Sequence, residues 1–404
     1  MPPFRHRALD ADSAGYFALL AGFALFALAG AGAAWYMEHE GHYVTGMSNQ
    51  IVWGVPHVFA IFLIVAASGA LNVASIASVF GKLDYKPLAR LSAILAVALL
   101  VGGLAILVLD LGRPDRLIVA MTYYNFKSIF AWNIFLYIGF IFVAAAYLWT
   151  MFERRMGRWN RGAGIAALLW RLVLTTGTGS IFGFLVARQA YDAALMAPMF
   201  VAMSFSYGLA VFILVLMASS RLARRPLGGL ILHKLKNLLG VFVAAVLYFV
   251  VAFNLTNLYA AEHRGVEDFL LASGGVYPLL FWAVQVGAGG LLPLLLFYAP
   301  PLARSRAAVA AGCALVVVGA FAQLYVIIIG GQAYPLVLFP GMEESSGFFD
   351  GVVAGYTPSL PELTLGVGGV ALSLALLMFA LAVLDFLPED LSDRHFSTAA
   401  AAAE

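Results

Sequence analysis

The 404-residue chain has a mean hydropathy of +0.93, and only 11% of its residues are charged, whereas a soluble globular protein carries about 25%. A soluble globule is therefore excluded, and a polytopic membrane protein is predicted. The formal net charge of +2 is too small to indicate a nucleic-acid partner.

Apolar stretches follow one another along the chain, and each is long enough to cross a hydrocarbon core, which needs roughly 20 helical residues. The predicted fold is all-α, with about ten transmembrane helices whose ends are placed to within about 2 to 4 residues. The predicted spans are 16–37, 51–80, 88–110, 128–152, 164–187, 198–220, 237–259, 277–298, 307–330 and 362–385. Residues 1–385 are predicted to form a single transmembrane domain, and 386–404 a short cytoplasmic tail.

The first stretch follows two arginines, as a secretion signal would, but it is too long and ends in WYMEHEGH rather than a small-residue cleavage site. It is therefore predicted to be a helix. With the N-terminus inside, the outer segments hold few positive residues, namely Arg113, Arg116, Lys127, Arg188 and Arg264. This positive-inside bias predicts both termini in the cytoplasm.

The segment LDLGRPDRLIVAMTYYNFKSIFAWN, residues 109–133, is then an outer connection between the third and fourth helices. Positive residues are unusual on that side, and here they alternate with Asp110 and Asp115. The ordinary interpretation is a capping loop whose charges neutralise one another, since surface ion pairs contribute little. Its aromatic residues are likewise typical of an interfacial belt.

The scarcity of reactive residues excludes several chemistries. Cys313 is the only cysteine, so neither a disulfide nor a thiolate-held iron–sulfur cluster is predicted. Of the seven histidines, only His57 falls within a predicted span, whereas a membrane b-type haem needs two axial ligands from facing helices. No haem and no metal site is therefore expected. A phosphate-binding GxxxxGK(S/T) motif is also missing, which argues against nucleotide hydrolysis.

Polar residues inside the spans concentrate in the predicted outer half. His57 is predicted to lie about 9 Å inward from Ile51, at 1.5 Å per helical residue, and Asp110 ends the third helix at a similar depth. Ser68, Asn72, Ser75 and Ser78 follow His57 on one face of the second helix. Further along the chain, the outer-half polar residues are Asn254, Thr256, Asn257, Tyr259, Gln285, Gln323, Tyr325 and Gln332.

These residues have an ordinary explanation as interhelical hydrogen-bond partners worth about 0.6 kcal/mol each, and His57 as a residue that reaches interfacial water. An ionisable group at membrane depth is nevertheless a functional candidate. A histidine, a carboxylate and aromatic hydroxyls suit a lipid-soluble, proton-coupled redox molecule such as a quinone, because imidazole exchanges protons near neutral pH. His57 and Asp110 are therefore the predicted catalytic residues.

Three sequence runs resemble the NrfD-type membrane subunits, the family that includes the quinone-reactive anchor of polysulfide reductase. The runs are LDLGRPDR, YYNFKSIFAWN and TGSIFGFLVARQAYDAALMAPMF, and the resemblance covers most of the second to ninth helices. Ten helices and the loop IGGQAYPLVLFPG are more similar to a longer branch, which includes the DsrP-like subunits of sulfite-reductase-associated complexes and their HmcC-like relatives.

The resemblance implies two four-helix bundles, helices two to five and six to nine, with the first and tenth helices peripheral. It implies a subunit without redox cofactors of its own that binds menaquinone or ubiquinone near the outer face. Electrons would pass to or from a periplasmic ferredoxin-like iron–sulfur subunit, with a multihaem cytochrome c often completing the assembly. The resemblance thus places the chain in sulfur-compound metabolism, as a subunit that is not catalytic alone, and either direction of electron flow is compatible with it.

The family's site residues carry over onto the matching runs. The WGVPH run places quinone contacts at Trp53 and His57, and the DLGRP loop places Asp110, Arg113 and Asp115 between the quinone and the docked iron–sulfur subunit. Relatives of polysulfide reductase have a tyrosine ligand in a YTG run, but the corresponding stretch here is 180–183, SIFG. The missing hydroxyl is expected from Ser180, Tyr123 or Tyr124. Trp132 is expected beside them as an interfacial anchor.

Two other functions compete with quinone exchange. A secondary transporter would have interrupted helices and polar groups near the bilayer centre, often in two related halves, whereas these polar groups lie off-centre and no internal repeat is evident. A purely structural membrane anchor would leave His57 and Asp110 without a partner. The 331–361 loop has no lysine or arginine and is expected to fold over the outer face or to meet a partner.

Overall fold

The computed structural model of the protein describes residues 5–336 and 351–394, except for the side chain of Arg154, and these residues are predominantly helical. In this part of the chain, ten helices are long and apolar enough to span a membrane. They are α1 (Ala14–Glu40), α2 (Val55–Ser78), α3 (Leu83–Leu109), α4 (Ile129–Phe152), α5 (Arg155–Gly183), α6 (Met196–Leu222), α7 (Gly229–Tyr259), α8 (Val276–Tyr298), α9 (Arg306–Ala333) and α10 (Leu360–Val383). The prediction of a polytopic all-α protein is confirmed.

Several helix ends differ from the predicted bounds. The second helix begins four residues later than predicted, because Pro56 occupies its first turn and the preceding segment is extended. His57 therefore lies in the first turn of α2 rather than two turns inward. The side chains of Ser13, Ser305 and Ser359 cap the starts of α1, α9 and α10, each accepting a hydrogen bond from a backbone N–H of the first helical turn.

The helices form the two expected bundles, α2–α5 and α6–α9. Helix α6 packs against α2 and α5, and α9 also contacts α2, so the two bundles share one apolar interface. Helix α1 packs mainly on α10, which in turn lies against α2 and α3. Following the predicted orientation, we call the end of the bundles that holds the N-terminus the inner end and the opposite end the outer end.

Helix α2 is broken at Leu71, between its segments Val55–Ala70 and Asn72–Ser78. Ser92 of α3 causes the break, because its hydroxyl donates to Ala70 O (2.7 Å) and accepts from Ala74 N (3.1 Å). The side chain is thereby inserted into the hydrogen-bond ladder that would have joined those two residues.

The polar face predicted for α2 contacts neighbouring helices. Ser68 Oγ lies 2.6 Å from Thr175 Oγ1 of α5, and the Arg171 guanidinium donates to the Asn72 side chain. Further inward, Ser78 bonds Tyr147 of α4. These residues therefore act as interhelical hydrogen-bond partners, the ordinary explanation.

The two ends of the chain meet on the inner side. Strand β1 (His6–Arg7) pairs antiparallel with β2 (Leu387–Pro388), and the Arg225 guanidinium donates to carbonyls of both segments. The first residues of the predicted tail are thus packed on the bundle. Residues 337–350, with Glu343, Glu344 and Asp350, and residues 395–404 lie outside the described part of the chain.

Candidate functional site

A cavity of about 370 Å³ lies at the outer end of the first bundle. Side chains of α2, α3, α4 and α5 form its walls, together with Ile328 of α9 and two residues of the short helix Leu117–Thr122. The lining is largely aliphatic and aromatic. Its polar side chains are His57, Asn133 and Tyr137, with the indole of Trp53 beside them.

The two residues predicted to be catalytic are in contact. His57 Nδ1 lies 3.0 Å from Asp110 Oδ2, and the Asp110 side chain is 1% exposed whereas that of His57 is 21% exposed. The carboxylate oxygen lies off the N–H direction, so the contact has the distance of an ion pair without the alignment of a hydrogen bond. A small rotation of the ring would align it, as is common in sites without bound substrate.

Asp110 fixes which nitrogen of His57 faces the cavity. The carboxylate beside Nδ1 favours the tautomer of the neutral imidazole that carries its proton on Nδ1. His57 lines the cavity, and its Nε2 has no hydrogen-bond partner among the described residues. Its lone pair is therefore free to accept a proton.

Asn133 brings a second polar group to the cavity wall. Its Nδ2 donates to Ile129 O (2.9 Å) and Gly177 O (3.1 Å), and because both partners are acceptors the orientation of the amide is determined. Asn133 Oδ1 is buried and has no partner in residues 5–336 and 351–394. A buried acceptor without a donor is costly, so this atom is suited to a ligand hydroxyl or a water.

Aromatic side chains surround the entrance to the cavity. The Trp53 ring stacks on His57 with 6.1 Å between ring centroids, and it contacts Phe130, Phe182 and Tyr191 at 5.8 to 6.3 Å. Such ring contacts add to the burial of apolar area. Trp53 thus holds one face of the imidazole, so that its orientation is set by packing as well as by Asp110.

The segment that carries Trp53 is held by residues distant in sequence. Gln332 Oε1 accepts from Trp53 N (3.1 Å), Gln332 Nε2 donates to Trp53 O (3.0 Å), and Arg188 donates to Gln50 O (2.7 Å) and Gln332 O (2.9 Å). Burial lowers the pKa of Arg188. Sequence reasoning missed the role of both residues, since neither lies near Trp53 along the chain.

The start of α2 is fixed by α10. The Tyr356 hydroxyl accepts from Val55 N (2.7 Å) and donates to Glu362 Oε1 (2.6 Å), while Glu362 Oε2 accepts from Gly46 N and Ser359 N (both 2.8 Å). Burial, with the hydrogen bond to Glu362, raises the pKa of Tyr356. The described part of the 331–361 loop therefore folds over the outer face, as expected, and positions the first turn of α2.

The remaining predicted site residues do not line the cavity. Arg113 forms a two-bond ion pair with Asp115 on the surface, both bonds 3.0 Å, which agrees with a self-neutralising loop. Tyr123 is 87% exposed, and Tyr124 packs on Phe126 and Phe135. Of the other two predicted site residues, Trp132 is exposed and Ser180 is buried in α5.

Asn133 and Tyr137 are cavity residues that the sequence reasoning did not select. They are one helical turn apart on α4, and the Tyr137 hydroxyl lies 3.5 Å from Thr178 Oγ1. The signal was available, since Asn133 ends the NFKSIFAWN run and the two residues have the i, i+4 spacing that places side chains on one face.

The fold and this cavity define a class: a polytopic helical membrane protein with a buried histidine–carboxylate pair beside an apolar cavity at one end of a four-helix bundle. Residues 43–335 match the family described as polysulphide reductase, NrfD, and the chain belongs to that family. The resemblance stated from the three sequence runs is confirmed.

Curated relatives are similar over most of their length. The chain is 28% identical over 386 residues, 95% of this chain and 96% of the relative, to the Hdr-like menaquinol oxidoreductase integral membrane subunit of Archaeoglobus fulgidus. It is 29% identical to a putative dimethyl sulfoxide reductase membrane subunit of Halobacterium salinarum, over 89% of this chain and 88% of the relative. With a polysulfide reductase chain of Wolinella succinogenes, the identity is 24%, over 71% of this chain and 96% of the relative.

Proposed function

We propose that the chain is the quinone-exchanging membrane subunit of a redox complex, and that the cavity of the first bundle receives the quinone head group. The observation that carries the proposal is the contact of His57 with the buried carboxylate of Asp110, beside an apolar cavity that His57 lines. The volume of about 370 Å³ lies in the range of small-molecule sites, roughly 300 to 1,000 Å³. The name of the Archaeoglobus relative, a menaquinol oxidoreductase subunit, supports a menaquinone-type substrate.

The polar atoms at the cavity fit the oxygens of such a head group. When bound, the quinone–quinol couple supplies two-electron, two-proton redox chemistry. His57 Nε2 would accept a proton from a substrate hydroxyl, or return one in the opposite direction, and Asp110 would stabilise the resulting imidazolium. Asn133 Oδ1 would accept a hydrogen bond from a substrate hydroxyl. Trp53 and Phe182 would hold the ring by aromatic packing.

The outer loop offers a position for the redox partner. In the helix Leu117–Thr122, Leu117 and Met121 line the cavity, whereas Ile118 and Val119 are more than half exposed. We propose that an iron–sulfur subunit, with or without a cytochrome, covers this exposed side in the periplasm, so that electrons cross only the thickness of the loop. Exposed Tyr123 and the Arg113–Asp115 pair would lie in the same interface.

The orientation in the membrane, the terminal substrate and the branch of the family are proposed from the sequence and from its similarity to relatives. The lysine and arginine distribution supports both termini in the cytoplasm of a prokaryotic cell. Similarity to the Wolinella polysulfide reductase chain supports a sulfur compound as the terminal substrate, and the nearly full-length match to the Archaeoglobus relative supports the longer, ten-helix branch.

The test is quinol-linked turnover of the purified complex carrying Asp110→Asn or His57→Ala. Each variant removes one member of the proton-exchanging pair, so turnover is expected to fall on the order of 100-fold or more while the subunits still assemble. Bound quinone extracted from each preparation reports binding separately from turnover. Asp110→Asn keeps the side-chain shape, which protects the experiment against simple misfolding.

The matched control is His233→Ala, since His233 is an exposed histidine near the inner end whose Nε2 lies 3.0 Å from the Asn237 side chain. Its turnover is expected to equal that of the wild type. Normal turnover in both site variants would remove the pair from the mechanism.

A further inference from the structure

A second, larger cleft opens on the inner side of the molecule, far from His57. It has a volume of about 1050 Å³ and is bordered by α1, α6 and α10. Helix α1 packs on α10 and makes few contacts with α6, so a wedge remains between α1 and α6 with α10 as its floor. The walls within the spans are apolar, for example Leu19, Phe23 and Leu377.

Two arginines stand at the mouth of this cleft. Arg221 ends α6 and Arg224 lies in the turn that follows, and both side chains are exposed. Within the described ranges, neither guanidinium forms a hydrogen bond or an ion pair. Asp10 and Asp12 lie on the opposite rim, where Asp10 pairs with Arg7 at 3.3 Å. The arginine side of the mouth is therefore an uncompensated pair of cations.

A neighbouring cavity of about 400 Å³ adds positive charge beneath Arg221. It is lined by Arg221, Arg225 and Arg306. Arg225 donates to the carbonyls of Arg7, Ala8 and Leu387, and Arg306 donates to the Leu227 carbonyl. The carboxylates of Asp10, Asp385 and Glu389 offset part of the charge of Arg225, so the attraction for an anion at the inner end of α6 comes mainly from Arg221 and Arg224.

Arg224 occupies a backbone position that ordinarily favours glycine. Arg225 N donates to Ser220 O (2.9 Å) and Arg224 N to Arg221 O (3.2 Å), which is the Schellman pattern that closes a helix. The residue at this position adopts a left-handed conformation, and Arg224 has φ 53°, whereas glycine is the favoured residue there. In the described residues it is the sole non-glycine residue with positive φ.

We propose that the cleft holds one membrane phospholipid of the inner leaflet. Arg221 and Arg224 bind its phosphodiester by charge-assisted hydrogen bonds, and the acyl chains lie along the apolar walls between α1 and α6. The occupant is a lipid because the walls of the cleft are apolar faces of the membrane-spanning helices α1, α6 and α10, while the two arginines stand at the helix ends, where a lipid phosphate would lie. The carboxylates of Asp10 and Asp12 on the opposite rim can pair with the ammonium of a zwitterionic head group, so zwitterionic phospholipids are accepted as well as anionic ones.

The experiment uses the intact complex containing the wild-type subunit, Arg224→Gly, Arg221→Gln or both changes. Native mass spectrometry is expected to show one retained phospholipid per wild-type subunit and an occupancy at least tenfold lower in the double variant. In delipidated detergent, Arg224→Gly is expected to melt at the same or a higher temperature, because glycine relieves the left-handed backbone. Addition of phosphatidylglycerol is expected to raise the melting temperature of the wild type but not that of Arg224→Gly.

Comparing ligands with and without a phosphate group distinguishes recognition of the phosphate from simple filling of the apolar cleft. Phosphatidylglycerol and phosphatidylethanolamine are expected to raise the wild-type melting temperature, whereas a phosphate-free glycolipid and inorganic phosphate are not. Arg264→Gln, a change on the outer side, is the control and should respond as the wild type does. Equal responses to glycolipid and phospholipid, an unaltered response in Arg224→Gly, or a wild-type complex without retained phospholipid would each overturn the proposal.

Discussion

The two four-helix bundles carry similar polar side chains at their outer ends, yet they pack differently. The first bundle surrounds a cavity of about 370 Å³ beside His57. The second bundle holds Gln285 and Gln323 around cavities of only about 20 and 30 Å³, and Tyr207 donates to Gln323 Oε1 at 2.6 Å. A space of that size admits at most a water molecule. Polar residues therefore mark a ligand site only where packing leaves volume for the ligand.

Glycine accounts for the tight packing of the second bundle. Gly289 of α8 and Gly319 of α9 face each other so closely that a Cβ on either would collide with the backbone of the other. In the first bundle, the cavity is lined by larger side chains of α3 and α4, among them Leu104, Leu107 and Ile134. Close helix approach through small residues is typical of membrane proteins.

Filling the cavity of the first bundle should give the largest functional effect. Ile134 of α4 lines that cavity, and Ile134→Phe places a ring where the head group is proposed to lie. Quinol-linked turnover is expected to fall on the order of 100-fold with assembly retained, because a displaced substrate loses its reactive geometry. Val318→Phe, on the half-exposed face of α9, is the control and should leave turnover unchanged. Full activity in Ile134→Phe would place the substrate elsewhere.

A buried carboxylate also distinguishes the outer ends of the two bundles. Asp110 faces a histidine, whereas Glu267, between α7 and α8, accepts a hydrogen bond from Asn257 Nδ2 (2.7 Å) and from no other described residue. Burial raises the pKa of Glu267 from 4.5 to about 7. The native state therefore binds an extra proton, so stability is lost as pH rises from about 4.5 to about 7, by about 3 kcal/mol in total.

The isosteric variant Glu267→Gln removes this titration and can still accept from Asn257. Its melting temperature is expected to match that of the wild type near pH 4 and to exceed it above pH 7. Melting curves of both proteins across pH 4 to 9 provide the measurement. Parallel pH profiles would show that Glu267 is already ionised in the folded protein.

The glycine contact of the second bundle gives the smallest of the expected effects. Gly289→Ala should lower stability by about 1 to 3 kcal/mol, since the added methyl meets backbone rather than a movable side chain. Gly32→Ala on α1, where nothing lies within 4 Å, is the matched control and should be neutral or slightly stabilising. An equal response at both positions would mean that α8 and α9 separate without cost.

The sequence brought His57 and Asp110 to one level because depth in a membrane can be counted along a helix, but it did not predict most of the cavity lining. His57 and Asp110 were placed at the same level on successive helices, and they are in contact. Asn133 was missed although it ends the NFKSIFAWN run, because the sequence does not reveal which neighbouring helix a polar residue of α4 faces. The break in α2 was missed because it is imposed by Ser92 of another helix.

By itself, the sequence determined that the chain lies in a membrane, how many helices it has and at what approximate level each polar group lies along its helix. It could do so because hydrocarbon requires every backbone group to be bonded within its own helix. Only the tertiary structure decided which polar groups meet an open volume. Gln332, Arg188 and Tyr356 hold the start of α2 from positions far along the chain. Whether packing leaves a cavity depends on the side chains of several helices together, and the pattern within any one helix does not contain that information.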